Sequence, residues 1–136
     1  TMKMSANDTA GADGLRVGVD IGGEIEAALI DAAGAILASG RMAARKGGDK
    51  IAEDTVSIVR QVPGVRFDEV RSAGIGIPGL VHRDTGRVEN VVNLGVEALE
   101  LGERVSDELG LPVWVDNDVN AAALGACGTL PAPLRY

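Results

Sequence analysis

The chemistry of this chain concentrates in V-W-V-D-N-D-V-N-A-A-A-L-G, Val113 to Gly125. There an apolar run fit for one strand gives way to carboxylates and amides, then to small helix-forming residues. Asp116, Asn117, Asp118 and Asn120 supply four closely spaced hydrogen-bonding side chains. A polyhydroxylated ligand needs such a set, because each hydroxyl withdrawn from water must find a partner. Sugar recognition fits this chemistry. Asp116 or Asn117 capping the helix that follows accounts for the same residues without it.

Two further clusters have the same form, a strand running into a turn. R-V-G-V-D-I-G-G, Arg16 to Gly23, alternates strand-formers with glycine and ends in Gly22-Gly23. Free N–H groups in such a turn can hold phosphate oxygens, and Asp20 beside it could hold magnesium through water. An ordinary β-turn explains D-x-G-G equally well. G-I-G-I-P-G, Gly74 to Gly79, is another strand, ending in a Pro78-Gly79 turn. Three strand ends bearing glycine or carboxylate chemistry in one short chain point to a single crevice.

In order, D-I-G-G at 20–23, G-I-G-I-P-G at 74–79, N-L-G at 93–95 and V-D-N-D-V-N-A-A-A-L-G at 115–125 resemble the motifs of the ROK family, the group of repressors, open reading frames and sugar kinases. The resemblance runs from about Leu15 to Gly125. It implies an actin-like, ribonuclease-H-like ATPase fold in which two similar domains close over ATP and a hexose, with magnesium. It also implies that Asp118 takes the proton from the attacking sugar hydroxyl, a role that asks for a carboxylate within hydrogen-bond reach of the nucleophile. By the same likeness Asn117, Pro78, Gly79 and Asn93 belong to the sugar side. Asp20, Gly22 and Gly23 then form the first phosphate-binding element.

Two departures from the family pattern bear on function. Kinases of the family usually continue the first motif as G-G-T-K, where this chain has Glu24 and Ile25. Like charges about 4 Å apart cost on the order of 1 kcal/mol in water and about 4 at a surface-like dielectric, enough to weaken nucleotide binding. A magnesium ion between them reverses the sign, and a Glu24 that points into solvent along the next strand has no effect. The second departure is that the family's zinc motif, second phosphate loop and adenosine pocket have no counterpart here. His82 and Cys127 alone cannot make a four-ligand zinc site, and His82 reads as a solvated loop residue. Half of a two-domain cleft cannot exclude water, so this segment by itself is expected to be inactive. Asp118, and the lack of a winged helix in the sequence, favour an ATP-dependent kinase of a hexose or amino-hexose. Glu24 and Ile25 favour the alternative, a sugar-sensing transcriptional regulator with a degenerate ATP site.

The elements that must position these residues are an α/β set in the order β-β-β-α-β-α-β-α, giving a mixed five-stranded sheet with flanking helices. Strands are expected at about 15–21, 26–31 and 36–43, turning at Ala33-Gly34 as an antiparallel meander. Asp49 is the expected cap of a helix striped by Ile51, Thr55, Ile58, Val59 and Val62 and stopped by Pro63-Gly64. A strand over 72–77 leads to a loop region through Asn93 with room for a short hairpin at Thr85-Gly86. Leu101, Val105 and Leu109 stripe a second helix closed by Gly110, and a strand over 111–115 places the polar cluster on the turn after it.

With 136 residues the chain suits one domain, expected as residues 15–126 between a disordered lead at 1–14 and a divergent tail at 127–136, with the second lobe absent. Its 46% hydrophobic but only 2% aromatic composition makes an aliphatic core and leaves no platform for base stacking. A net charge of −7 opposes binding to nucleic acid or to an anionic membrane. No run is long and apolar enough for a membrane span, and the first residues lack a signal peptide's apolar block. The lone Cys127 excludes an intrachain disulfide and fits a cytoplasmic setting. A small-molecule sugar is the expected partner, and exposed apolar surface leaves homo-oligomerisation open.

Overall fold

Alternation of apolar residues builds the first three strands. The computed structural model describes residues 14–62 and 69–117. In β1 (Leu15–Ile21) the buried apolar residues are Val17, Val19 and Ile21, and in β2 (Glu24–Ile30) they are Ile25, Ala27 and Leu29, so both strands turn one apolar face to the core. β3 (Ile36–Ala43) is the outer strand and is half-exposed along its length. The turn before it is held by Asp31, whose Oδ1 accepts the N–H groups of Ala33 and Ala35, each at 2.9 Å. β2 starts at Glu24, two residues earlier than expected, because the Gly22-Gly23 turn is tight enough to pair Ile21 with Ile25.

Helix α1 (Gly48–Gln61) buries Ile51, Thr55, Ile58 and Val59 as the stripe requires. Its expected cap is corrected: Gly47 precedes the helix at φ 107 with no side-chain cap, and Asp49 lies inside the first turn. There its carboxylate suits the helix dipole and meets Arg104 at 2.7 Å. β4 (Val70–Gly76) follows. Three short strands, β5 (Leu80–His82), β6 (Arg87–Val91) and β7 (Val96–Glu100), come next, with a 3-10 turn over Val92–Leu94. Helix α2 (Leu101–Leu109) ends at Gly110, whose φ of 71 and N–H bond to the Ser106 carbonyl at 2.8 Å make a left-handed cap. β8 (Val113–Asp116) closes the described chain.

The main sheet has the order β3-β2-β1-β4-β8, antiparallel through β1, β2 and β3 and parallel through β1, β4 and β8. It is the mixed five-stranded sheet anticipated from the sequence, with α1 and α2 packed on it and on each other. The hairpin expected at Thr85-Gly86 is present as β5 and β6, and with β7, which was not expected, it makes a second, antiparallel sheet, β5-β6-β7. Its strands are short, and Asn90 at φ 60 interrupts the alternation of β6, so the period-2 signal is weak. Asp116 is the last residue of β8 and not part of the turn. The helix expected at Ala121–Leu124 lies outside the described residues.

One aliphatic core joins the two sheets and both helices. Ile21, Ile25, Ile51, Ile75, Ile77, Leu101 and Val88 are among its fully buried side chains. Each contributes about 1.5–3 kcal/mol relative to exposure.

Candidate functional site

The parallel strands β1, β4 and β8 end level with one another. Asp20 of β1 pairs in register with Gly76 of β4, which pairs with Asp116 of β8. The Ile77 N–H, one residue past β4, donates to the Asp116 carbonyl at 3.0 Å. The sheet therefore delivers Asp20, the Pro78-Gly79 turn and Asn117 at the carboxyl ends of three adjacent strands, where an open α/β sheet binds ligands.

Each part of this rim has its own cause. At Gly79, φ is +112, and a Cβ would stand 2.8 Å from Val91 Cγ2 and 2.9 Å from the Glu89 carbonyl. Only glycine fits, and the turn is thereby pressed against the end of β6. Asn93 follows two residues after Val91, exposed on the 3-10 turn. Asn117 is exposed directly after β8. Asp118 and Asn120 lie outside the described residues.

The Gly22-Gly23 turn is different. Neither glycine has a positive φ. An added Cβ meets nothing closer than 3.8 Å at Gly22 and nothing within 4 Å at Gly23. Among the described residues no steric contact of the fold requires glycine there. The Gly22 N–H is already used within the turn, donating to the Glu24 carbonyl at 2.9 Å. Asp20 beside it is exposed.

Glu24 neither floats in solvent nor stands as an isolated anion. Arg41 of β3 bridges it at 3.4 Å and Glu26 at 3.0 Å, all three half-exposed or more. One cation shared by two carboxylates leaves a net −1 at this edge, screened by water. A hollow of about 600 Å³ next to it is lined by Gly18, Ala28, Ser39, Asp20, Glu26 and Arg41. It meets the rim only at Asp20 and includes none of Pro78, Gly79, Asn93 or Asn117.

Asp116 is corrected as a candidate ligand. Its side chain is 4% exposed and is held by Arg83 of the β5–β6 turn, Nε to Oδ2 at 2.9 Å and Nη2 to Oδ1 at 3.3 Å. Arg83 was not legible in the sequence; the only available signal was that a carboxylate closing a buried strand requires a cation. His82, expected in a loop, is on β5 with Nε2 3.2 Å from Glu89. Arg87 hydrogen-bonds Glu89 at 2.8 Å and holds that carboxyl below its ordinary range. Among the described residues no group of three or more His, Cys, Asp or Glu is placed to hold a metal ion.

The sequence matches the ROK family over residues 16–127. The chain belongs to the ROK family. A relative, the glucokinase of Streptomyces coelicolor, is 38% identical over 114 residues, 82% of this chain and 35% of the relative. The xylose repressor of Caldicellulosiruptor bescii is 33% identical over 86 residues, 56% of this chain and 22% of the repressor. Among solved structures, a ROK glucokinase from Streptomyces griseus in complex with glucose and AMPPNP superimposes with a TM-score of 0.72 at 35% identity, covering 82% of this chain and 36% of that one. This chain thus spans about a third of the glucokinases' length, and its fold is that of the actin-like, ribonuclease-H-like domain of ROK glucokinases. Both glucokinases and xylose repressors stand among its relatives.

Proposed function

We propose that the chain is the N-terminal, sugar-side domain of a ROK kinase that transfers the γ-phosphoryl group of ATP to a hexose or amino-hexose. The observation that carries this reading is the level register of Asp20, Gly76 and Asp116, which brings the phosphate-side and sugar-side candidates to one rim. The unstrained Gly22-Gly23 turn supports a phosphate approaching along the backbone. The glucokinase similarity supports the chemistry.

In this proposal Asn117 and Asn93 hydrogen-bond sugar hydroxyls, and the Pro78-Gly79 backbone forms the wall against which the ring rests. Asp118 accepts the hydroxyl proton as the oxygen attacks phosphorus, in a reaction that asks mainly for positioning and charge stabilisation. Asp20 is a hard oxygen donor of the kind that holds magnesium through water, and its exposure at the strand end suits that role. Magnesium there would offset phosphate charge. This domain supplies one wall of the cleft, and turnover requires a second wall to exclude water.

Calorimetry with glucose, mannose, N-acetylglucosamine and N-acetylmannosamine tests the sugar site; no heat with any of them removes it. In the full protein Asp118→Asn should abolish ADP release and leave sugar affinity nearly intact. An unchanged rate takes Asp118 out of the mechanism.

Glu24 in place of the family's threonine, together with the repressor similarity, favours a second reading, a sugar-sensing regulator without phosphoryl transfer. In the full protein, sugar binding with no ADP release at any ATP concentration would decide for it. Because Arg41 already draws off the Glu24 charge, Glu24→Thr is expected to tighten ATP binding only slightly if the protein is a kinase.

A further inference from the structure

We infer that Arg83 is a positioning residue for the sugar side of the site: its ion pair with Asp116 sets where β8 delivers Asn117 and where β4 delivers the Pro78-Gly79 turn. The inference rests on the reading of Asn117 and Pro78-Gly79 as sugar contacts.

Asp116 serves both neighbours at once. Its carbonyl accepts the Ile77 N–H at 3.0 Å, tying down the backbone that leads into Pro78. Its buried carboxylate takes the two-point grip of Arg83. Asn117 follows it directly. Movement of Asp116 therefore moves both edges of the proposed sugar wall together. A planar guanidinium holding both carboxylate oxygens fixes rotation as well as distance, which a lysine ammonium does not.

The grip comes from a turn that is anchored without Arg83. The Gly86 and Thr85 N–H groups donate to the His82 carbonyl at 2.7 and 3.2 Å. The Gly102 N–H of α2 donates to the Gly86 carbonyl at 3.0 Å. The two glycine backbones touch: a Cβ at Gly86 would lie 2.8 Å from the Gly102 Cα. Arg83 itself is half-exposed and packs into no core. Truncating it leaves the turn in place and takes the two-point grip of a guanidinium away from a buried carboxylate, which loosens the end of β8. The disturbance falls on Asp116 and its neighbours.

The test uses Arg83→Ala, Arg83→Lys and Asp116→Asn, with amide nuclear magnetic resonance, glucose calorimetry and thermal melting. Arg83→Ala should shift the amide signals of Ile77 and Asn117 while Glu24 and Arg41, at the far edge of the sheet, stay fixed. Glucose affinity should fall about tenfold, a change of about 1.4 kcal/mol. Arg83→Lys should recover part of the affinity, which a general loss of stability would not predict. Asp116→Asn, which removes the buried charge while keeping the side chain's size, should perturb the same amides less than Arg83→Ala. Unmoved Ile77 and Asn117 signals in a folded Arg83→Ala protein overturn the inference. If Arg83→Ala fails to fold, Arg83→Lys decides in its place, and wild-type signals and affinity there overturn it equally. A wild-type protein that binds no sugar overturns the proposed function instead, and the amide shifts still judge Arg83.

Discussion

Asp54 keeps its charge although α1 buries it, and the reason is Arg45. The arginine donates to the Asp54 carboxylate from Nε at 3.0 Å and from Nη2 at 2.6 Å, and its backbone N–H adds a third bond at 3.1 Å. These hydrogen bonds outweigh burial and hold the carboxyl below its ordinary value of 3.8. A carboxyl whose pKa is lowered by folding contributes stability above the unfolded pKa and loses it as pH falls through the folded one. Asp54→Ala should therefore cost about 1.5–3 kcal/mol at neutral pH. Urea titrations should show that gap constant from about pH 7 to 5 and shrinking below about pH 4. Arg45→Ala should be worse than Asp54→Asn, since it leaves the buried charge unpaired. Equal losses would mean that Asp54 finds water. Legibility at this scale was uneven for the same physical reason. Asp20, Gly79 and Asn117 stand at strand ends, where the sequence shows both the strand and its interruption. The partners of Asp54 and Asp116 come from 9 and 33 residues away and leave no periodic trace.

Among the elements, glycines separate structure from function. Gly86 sits at φ +76 against Gly102, so Gly86→Ala both strains the backbone and collides, costing at least about 2 kcal/mol. Gly23 has neither a positive φ nor a close neighbour among the described residues. Gly23→Ala should accordingly leave the melting temperature within about a degree of wild type, as an unstrained surface change does, and still weaken ATP binding if a phosphate approaches there. An unchanged ATP affinity would return Gly22-Gly23 to the status of a plain turn. The long elements were readable because each carries its own period: alternation in β1 and β2, the i, i+3, i+4 stripe in α1, and a stripe closed by glycine in α2. Of the small sheet only the hairpin at Thr85-Gly86 was readable, because β5 has three residues and the sheet's order comes from strand pairing and from charges such as Arg87 with Glu89 along β6 and with Glu100 across on β7. The α1 cap failed in the same way: Asp49 faces a non-local partner, Arg104, and the backbone at Gly47 is set by its N–H bond to the Leu94 carbonyl at 2.8 Å.

Over the whole molecule, one core holds the site. Val88, Val91, Val96 and Leu99 of the small sheet belong to the same buried cluster as Val19, Ile75 and Val115 of the main sheet. The turn that carries Arg83 and the strand that carries Asp116 thus share one packing unit, and unfolding should be a single transition. Leu101, fully buried at the junction of β7 and α2, tests this. Leu101→Ala should cost about 2–5 kcal/mol and move two midpoints equally, the far-ultraviolet signal of all strands and helices and the fluorescence of Trp114, the chain's only tryptophan, on β8. Ligand linkage follows from the same unit. If the proposed sugar site takes glucose, glucose at about 100 times its Kd should stabilise the folded state by about 2.7 kcal/mol and raise both midpoints together. Because Trp114 reports on the main sheet, a far-ultraviolet loss that precedes the fluorescence midpoint would mean that the small sheet melts first. Arg83 could not then hold Asp116 at temperatures where the main sheet is still folded, and sugar affinity should fall with the first transition.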